Sequence, residues 1–402
     1  MSLKLSHFII CTKYNNDNRV FMFDRRTNKH YIINSSYACI LQEFLNGSND
    51  HDFMNRNAKF FQVLRSANML IDDSVDPIVP RIRFAKETDQ LNTVQLELTK
   101  RCNFGCKHCF HGSLDEVATT ELTTQEIFRI IEQANDMGVF EFDVTGGEPL
   151  LRTDIREILS YIYVNGMRTR LYTNGYLLTP NFITFLREIG IYCVRISLDG
   201  ICSATHNAIR SDENLDRILY NMREIVSAGI NLEVSTVVMK KNLLEIPLII
   251  KEIRKEFNAR HFLSAYIPIH DSNLLVTPSE YVNAIKDGLN EYIPIESPKG
   301  STCGIAYDFM YINSRGSAAL CPLIQEVTYG ETHLENGLAL SWESLLASYK
   351  GLTCKHKEEC TFAGFCGNGC RARALYVNGD INEKDEYICH LHNHLLSAYT
   401  KN

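Results

Sequence analysis

No apolar run in the 402 residues approaches the 18 or more that a membrane span needs. The stretch Phe8-Ile9-Ile10-Cys11 near the start is too brief for a secretory signal core. Basic residues are outnumbered, 41 against 48, for a formal charge of −7, so no global positive field favours nucleic acid or an anionic lipid surface. Fourteen cysteines in a chain this long fall far below the density of a disulfide scaffold. These absences point to a cytoplasmic protein with neither a membrane nor a nucleic-acid partner. The 45% hydrophobic and 22% charged residues are those of an ordinary globular chain, long enough for about two to four domains.

The cysteines that are present cluster. Cys102, Cys106 and Cys109 share one loop, and Cys303, Cys321, Cys354, Cys360, Cys366, Cys370 and Cys389 fall in the last quarter. In a reducing compartment such groups read as metal ligands or catalysts. Cys11, Cys39, Cys193 and Cys202 stand alone and are expected as small buried hydrophobes.

Residues 1–76 read as a small α+β domain. Strands are expected at 9–10, 20–23 and 30–33, with a turn at 25–28 between the last two. Ser35-Ser36 is placed to cap a helix through Leu45 that Gly47 stops, and one further amphipathic helix is expected over 51–67. Residues 77–92, with Pro77 and Pro80, read as a linker. Over 93–296, short apolar strands at 94–98, 139–144, 169–173, 192–197, 232–238 and 261–267 alternate with helical stretches such as 124–137 and 243–257. Such βα succession means an α/β fold with a parallel sheet, open or curled into a partial barrel, with ligands at the carboxyl ends of its strands. Over 297–402 the periodicity fades to a hairpin at 309–320, and metal is expected to organise the rest.

The first cysteine group follows directly on the first of those strands. Cys102-Asn103-Phe104-Gly105-Cys106-Lys107-His108-Cys109 has Cys-x3-Cys-x2-Cys spacing. Three thiolates on one tight loop can hold three corners of a [4Fe–4S] cube and leave the fourth iron without a protein ligand. A zinc knuckle completed by His108 or His111 is the alternative. At the second strand's end stands Thr145-Gly146-Gly147-Glu148-Pro149, where a glycine pair admits close backbone approach and a carboxylate can accept from an ammonium group. Thr173-Asn174-Gly175, Ser197-Leu198-Asp199-Gly200 and His206 through Arg210 follow at later strand ends.

This ordered set resembles the radical SAM superfamily. The resemblance implies a partial (β/α)6 barrel, S-adenosylmethionine as cofactor and a [4Fe–4S] cluster on Cys102, Cys106 and Cys109. It implies that Gly146, Gly147 and Glu148 meet the methionyl amino group, that Ser197 and Arg210 face the methionyl carboxylate or ribose, and that Asn174 lies at the active-site mouth. His108 stands where the family usually has an aromatic residue, and Phe110 is the ring expected near the adenine instead.

The carboxyl-terminal cysteines resemble the SPASM extension of the same superfamily, a cysteine-rich iron–sulfur domain. That implies two auxiliary [4Fe–4S] clusters, one on Cys303, Cys321 and Cys370, the other on Cys360, Cys366 and Cys389. Where the family has Cys-x2-Cys this chain has Lys357-Glu358-Glu359-Cys360, which makes Cys354 the expected fourth ligand of the second cluster and leaves the first one cysteine short. Residues 20–45 resemble the PqqD-like, winged-helix-like peptide chaperone that recurs fused to maturases as a leader-recognition element. A structural cap is the alternative.

Together these resemblances imply a maturase of a ribosomally synthesised precursor peptide, whose leader the amino-terminal domain binds. A 5′-deoxyadenosyl radical would abstract hydrogen, an intramolecular thioether or carbon–carbon crosslink would form, and flavodoxin or ferredoxin would supply electrons. Peptide epimerisation and sulfatase-maturating-type protein modification are alternatives. Pro322 stands after Cys321, where the sulfatase-maturating enzymes place an aspartate, and counts against the latter. No catalytic acid or base is singled out, since Asp308, Tyr307 and Glu97 carry no spacing argument.

Overall fold

The computed structural model describes residues 3–5, 9–14, 19–24, 29–72, 82–85, 91–111, 121–210, 214–286, 308–349, 352–362, 366 and 368–399. Cys303, Tyr307, the 25–28 turn and much of the expected linker lie outside these residues.

In the amino-terminal unit β1 (Leu3–Leu5) is followed by β2 (Ile9–Tyr14), β3 (Val20–Asp24) and β4 (Lys29–Ile33), the last three forming an antiparallel ladder. Three helices follow, α1 (Ser35–Leu45), α2 (His51–Arg56) and α3 (Ala58–Ser66), then β5 (Leu70–Asp72), which pairs with β1. The cap of α1 is Asn34, whose side-chain oxygen accepts from Tyr37 N–H at 3.0 Å, so Ser35 and Ser36 fall inside the first turn. The single helix expected over 51–67 is two helices. Asn57, at φ −110°, breaks the run, and its side chain donates to Phe53 O, competing for a helical acceptor. β6 (Ile82–Ala85), inside the expected linker, pairs parallel with β2 and completes the order β4-β3-β2-β6. Leu5, Cys11, Met22, Leu41, Phe53, Phe61 and Leu64 make a separate apolar core for this unit.

The central strands are β7 (Thr93–Glu97), β8 (Glu141–Thr145), β9 (Arg168–Thr173), β10 (Cys193–Ser197), β11 (Leu232–Val238) and β12 (Arg260–Ala265), parallel and in sequential order. Between and after them run α4 (Thr124–Asp136), α5 (Ile155–Val164), α6 (Pro180–Glu188), α7 (Ser203–Arg210), α8 (Leu215–Ser227), α9 (Ile246–Glu252) and α10 (Pro278–Ile285). Sequential order with right-handed crossovers puts the helices on one face. The strands therefore alternate. Val94, Leu96, Phe142, Val144, Leu171, Val194, Ile196 and Val234 pack against helix residues such as Ile127, Ile131, Ile158 and Met222. The opposite face carries charge at its amino-terminal half. There Arg170 lies 2.7 Å from both Glu141 and Asp143, Arg195 lies 2.5 Å from Glu233, and Arg168 pairs with Glu141. Uncompensated buried charge is costly, so these ions come paired. Nearer the carboxyl ends, small hydroxyl side chains (Thr145, Ser197, Ser235, Ser264) border open space.

The cysteine-rich segment begins within the same sheet. β13 (Phe309–Ile312) pairs parallel with β7, opposing Tyr311 to Gln95, and β14 (Ser317–Cys321) and β15 (Ile324–Glu331) continue antiparallel to make nine strands. The sheet thus continues across the boundary expected at residue 297. α11 (Gly337–Tyr349) adds Leu338, Trp342 and Leu345 to the central core. α12 (Arg371–Asn378) and α13 (Glu386–Tyr399) follow, with the Tyr387 ring edge-on to Tyr281 of α10. Cys11 and Cys193 are buried as expected, but Cys39, on the outer face of α1, and Cys202, in the turn before α7, are exposed. Among the described residues no helix is long and apolar enough to cross a membrane.

Candidate active site

A cavity of about 460 Å³ opens at the carboxyl ends of the parallel strands. Cys102, Cys106 and Cys109 border it together with Phe110, Gly146, Gly147, Asn174, Ser197 and Arg210, so the site residues expected from five separate stretches of sequence meet in one place. The glycine pair packs one loop onto another. Gly147 N–H donates to Thr99 O at 2.7 Å and Glu148 N–H to Arg101 O at 2.8 Å. A Cβ at Gly146 would lie 2.6 Å from Thr99 O, and one at Gly147 2.6 Å from Lys100 O and nearer still to Arg101 O. Only glycine permits backbones this close.

Glu148 departs from its expected role. It is fully buried and does not border the cavity. Its carboxylate accepts from Thr173 Oγ1 and Asn174 N–H, both at 2.8 Å, and from Leu150 N–H at 3.1 Å, which braces two loops. Burial pushes its pKa up to about 7 despite those donors. Asn174 borders the cavity, with its amide donating to Asn103 Oδ1 at 2.8 Å.

Burial raises the thiol pKa of Cys102, Cys106 and Cys109, that of Cys106 to about 11, while the Arg210 cation opposes the rise. Arg210 Nη1 lies 3.9 Å from Cys106 Sγ, and its Nε donates to Asp199 at 2.7 Å. Asp199 also has His108 Nε2 at 3.4 Å, and burial holds the His108 pKa down at about 4, so the ring is neutral. Phe110 packs on His111 with ring centres 4.1 Å apart.

The far wall comes from the stretch that follows β12 and from the cysteine-rich segment: Tyr266, Ile267, Ile269, Tyr311, Pro322, Leu323, Cys370 and Arg373. Glu97, Tyr311 and Asp199 are residues to which motif spacing assigned no role. For Glu97 the available signal is a lone carboxylate ending a strand on the face opposite Val94 and Leu96. Tyr311 has no local signal, because its position depends on a strand pairing across more than two hundred residues.

The remaining cysteines form two further groups. Cys321 and Cys370 border an apolar cavity of about 260 Å³, and Cys370 Sγ accepts from Arg373 N–H at the start of α12. Cys354, Cys360, Cys366 and Cys389 border another of about 240 Å³, where burial raises Cys366 to about 11. All these cysteines are free thiols. Among the described residues no three His, Cys, Asp or Glu side chains are arranged to hold one metal ion. Soft thiols spread around shared cavities are the donor set that iron–sulfur clusters use.

Similarity to known proteins agrees with this arrangement. Residues 96–253 match the Radical SAM superfamily. The chain is 27% identical over 344 residues to the AdoMet-dependent heme synthase of Methanosarcina barkeri, covering 75% of this chain and 97% of that protein. It is 26% identical over 309 residues to the antilisterial bacteriocin subtilosin biosynthesis protein AlbA of Bacillus subtilis, covering 70% and 67%. Streptococcus suis SuiB bound to precursor peptide SuiA shares the fold, at TM-score 0.67 and 14% identity over 96% of this chain and 99% of that one. The family match begins at Leu96, at the end of β7, and so takes in the cysteine loop and every strand end that borders the cavity up to β11, which makes the chain a radical SAM superfamily enzyme.

Proposed function

We propose that the protein is a maturase of a ribosomally synthesised peptide, working with S-adenosylmethionine and a [4Fe–4S] cluster on Cys102, Cys106 and Cys109. The observation that carries this is the double border of the cavity, with three thiols on one side and Tyr311, Pro322, Leu323 and Cys370 of the cysteine-rich segment on the other. When bound, the cofactor pair supplies one-electron cleavage to a 5′-deoxyadenosyl radical able to abstract hydrogen from an unactivated carbon. The chain's own part is to hold and shield. Gly146, Gly147, Asn174 and Ser197 border the space for the cofactor's methionine end, and Phe110 offers a ring to the adenine. Tyr266, Ile267, Ile269 and Leu323 give the substrate side an apolar wall that excludes water. Cys321 and Cys370, with Cys303, are assigned to one auxiliary cluster of the SPASM-like domain beside the partial barrel. Cys354, Cys360, Cys366 and Cys389 are assigned to the other.

A peptide substrate is favoured over a tetrapyrrole by the amino-terminal unit: the fold shared with SuiB, which is bound to a precursor peptide, extends over 96% of this chain and so takes in most of residues 1–76 as well. Residues 1–76 are read as the PqqD-like leader-binding domain. β4 is an edge of its sheet, Ile32, Tyr37 and Val63 are exposed apolar side chains, and an edge strand can take up an extended leader by strand addition. The product is an intramolecular thioether or carbon–carbon crosslink, with flavodoxin or ferredoxin as the cytoplasmic electron donor.

The test is anaerobic incubation of the reduced, reconstituted full-length protein with a short peptide that it captures from its source cell. A crosslink appears as 5′-deoxyadenosine together with loss of a hydrogen pair from the peptide. Adenosyl cleavage with no change in peptide mass or stereochemistry would sink the proposal.

A further inference from the structure

We infer that Arg210 serves the cluster rather than S-adenosylmethionine: anchored by Asp199, its guanidinium sets the reduction potential of the centre on Cys102, Cys106 and Cys109. This rests on the reading of those cysteines as cluster ligands.

Arg210 is tied to the loop twice. Its Nη1 is 3.9 Å from Cys106 Sγ, and its own carbonyl is 3.9 Å from the same sulfur, while Lys107 N–H donates to Ile209 O at 2.9 Å. Behind it stands Asp199, fully buried. One oxygen of Asp199 accepts from Arg210 Nε at 2.7 Å and the other from Val237 N–H at 2.8 Å. Asn242 Nδ2 donates to the Asp199 backbone carbonyl at 3.0 Å. The aspartate, which also has His108 Nε2 at 3.4 Å, is therefore fixed from several sides and holds the guanidinium beside the sulfur.

A cation lies next to the thiol, and an anion lies one hydrogen bond further away. Reducing a cluster adds negative charge to the iron–thiolate unit. The nearby cation stabilises that charge, and the more distant anion partly cancels the effect. Solvent and salt screen little at so buried a pair. Hydrogen bonds from groups around the ligands are among the levers that tune such centres. Removing the cation and removing the anion should therefore move the potential in opposite directions, an outcome that disturbed packing alone would not give.

The experiment is an EPR-monitored redox titration of the reconstituted full-length protein without S-adenosylmethionine, alongside the cofactor's dissociation constant. Arg210→Gln is expected to lower the potential of the cofactor-free cluster, and Asp199→Asn to raise it. If Arg210→Gln leaves that potential unchanged but weakens cofactor binding, Arg210 grips the cofactor and the inference is overturned. Shifts of the same sign in both variants overturn it as well. If Arg210→Gln takes up no iron, Asp199→Asn decides alone: a rise supports the inference, and a fall or no change overturns it. A wild-type protein that loads no [4Fe–4S] centre on this loop defeats the functional proposal itself, an outcome distinct from any of these.

Discussion

The hydroxyl of Tyr311 on β13 donates to the carboxylate of Glu97 at the end of β7, a buried bond between residues 214 apart in sequence. It ties the cysteine-rich segment to the strand that leads into the cysteine loop. Glu97 also accepts from Ser314 N–H at 3.2 Å, and His111 Nε2 stands 3.3 Å away. Burial next to this carboxylate holds the Tyr311 phenol well above its usual pKa, so it remains a donor throughout the working range. Tyr311→Phe deprives a buried acceptor of its donor and is expected to destabilise the protein by about 1.5–3 kcal/mol. Urea unfolding of variant and wild type measures this, and an unchanged midpoint would show that the bond contributes nothing.

Gly147→Ala should be more severe. Its Cβ would fall 2.6 Å from Lys100 O, which is backbone and not a flexible side-chain end. The cysteine loop must shift to admit it, at a cost of about 3 kcal/mol or more. The expected result is loss of about four irons per chain, the content of one cube, with the other irons retained. Full iron content after reconstitution would show that the loops tolerate separation.

The βα units and the cysteine loop were legible because their signals are local. Alternation in segments such as Glu141–Thr145 and Arg168–Thr173 reports a sheet with helices on one face, and the loop's Cys-x3-Cys-x2-Cys spacing can be read without knowing any distant partner. What the sequence hid depends on partners. β6 reads as linker because nothing in Ile82–Ala85 announces that β2 is its neighbour. Asp199 and Arg210 carry opposite charges, but only the packing of α7 under the cysteine loop makes them a pair. A carboxylate beside a glycine pair looks available to a ligand, and the family resemblance implies that role for Glu148. Its donors, Thr173 and Asn174, arrive from the next strand end and occupy it.

Glu148 should leave a pH signature. Its pKa is raised by burial from 4.5 to about 7, so between those values the folded protein binds a proton that the unfolded chain has released. Stability from this group is then complete below about pH 4.5 and falls as pH rises toward 7, by on the order of 3 kcal/mol. Glu148→Gln removes the term. The stability difference, wild type minus variant, should therefore decline from pH 4.5 to 7 and stay flat above. A difference that stays constant across that window would show that the carboxyl is ionised in the fold at an ordinary pKa.

Cys354 tests the cysteine-rich segment. Sequence spacing leaves the second auxiliary group without its usual fourth thiol, and Cys354 borders the same cavity as Cys360, Cys366 and Cys389. Three cubes require about twelve irons per chain. Losing one ligand can leave a cube held by three, so the decisive variant removes two, Cys354→Ala with Cys360→Ala. Iron should fall to about eight, because thiols held protonated by burial, as Cys366 is at about 11, bind iron only when enough ligands together offset the cost of deprotonation. Formation of 5′-deoxyadenosine should persist, since Cys102, Cys106 and Cys109 border a different cavity. Twelve irons retained in the double variant would show that Cys354 and Cys360 are not cluster ligands, and iron near four in the wild type would leave the cysteine loop as the sole cluster site.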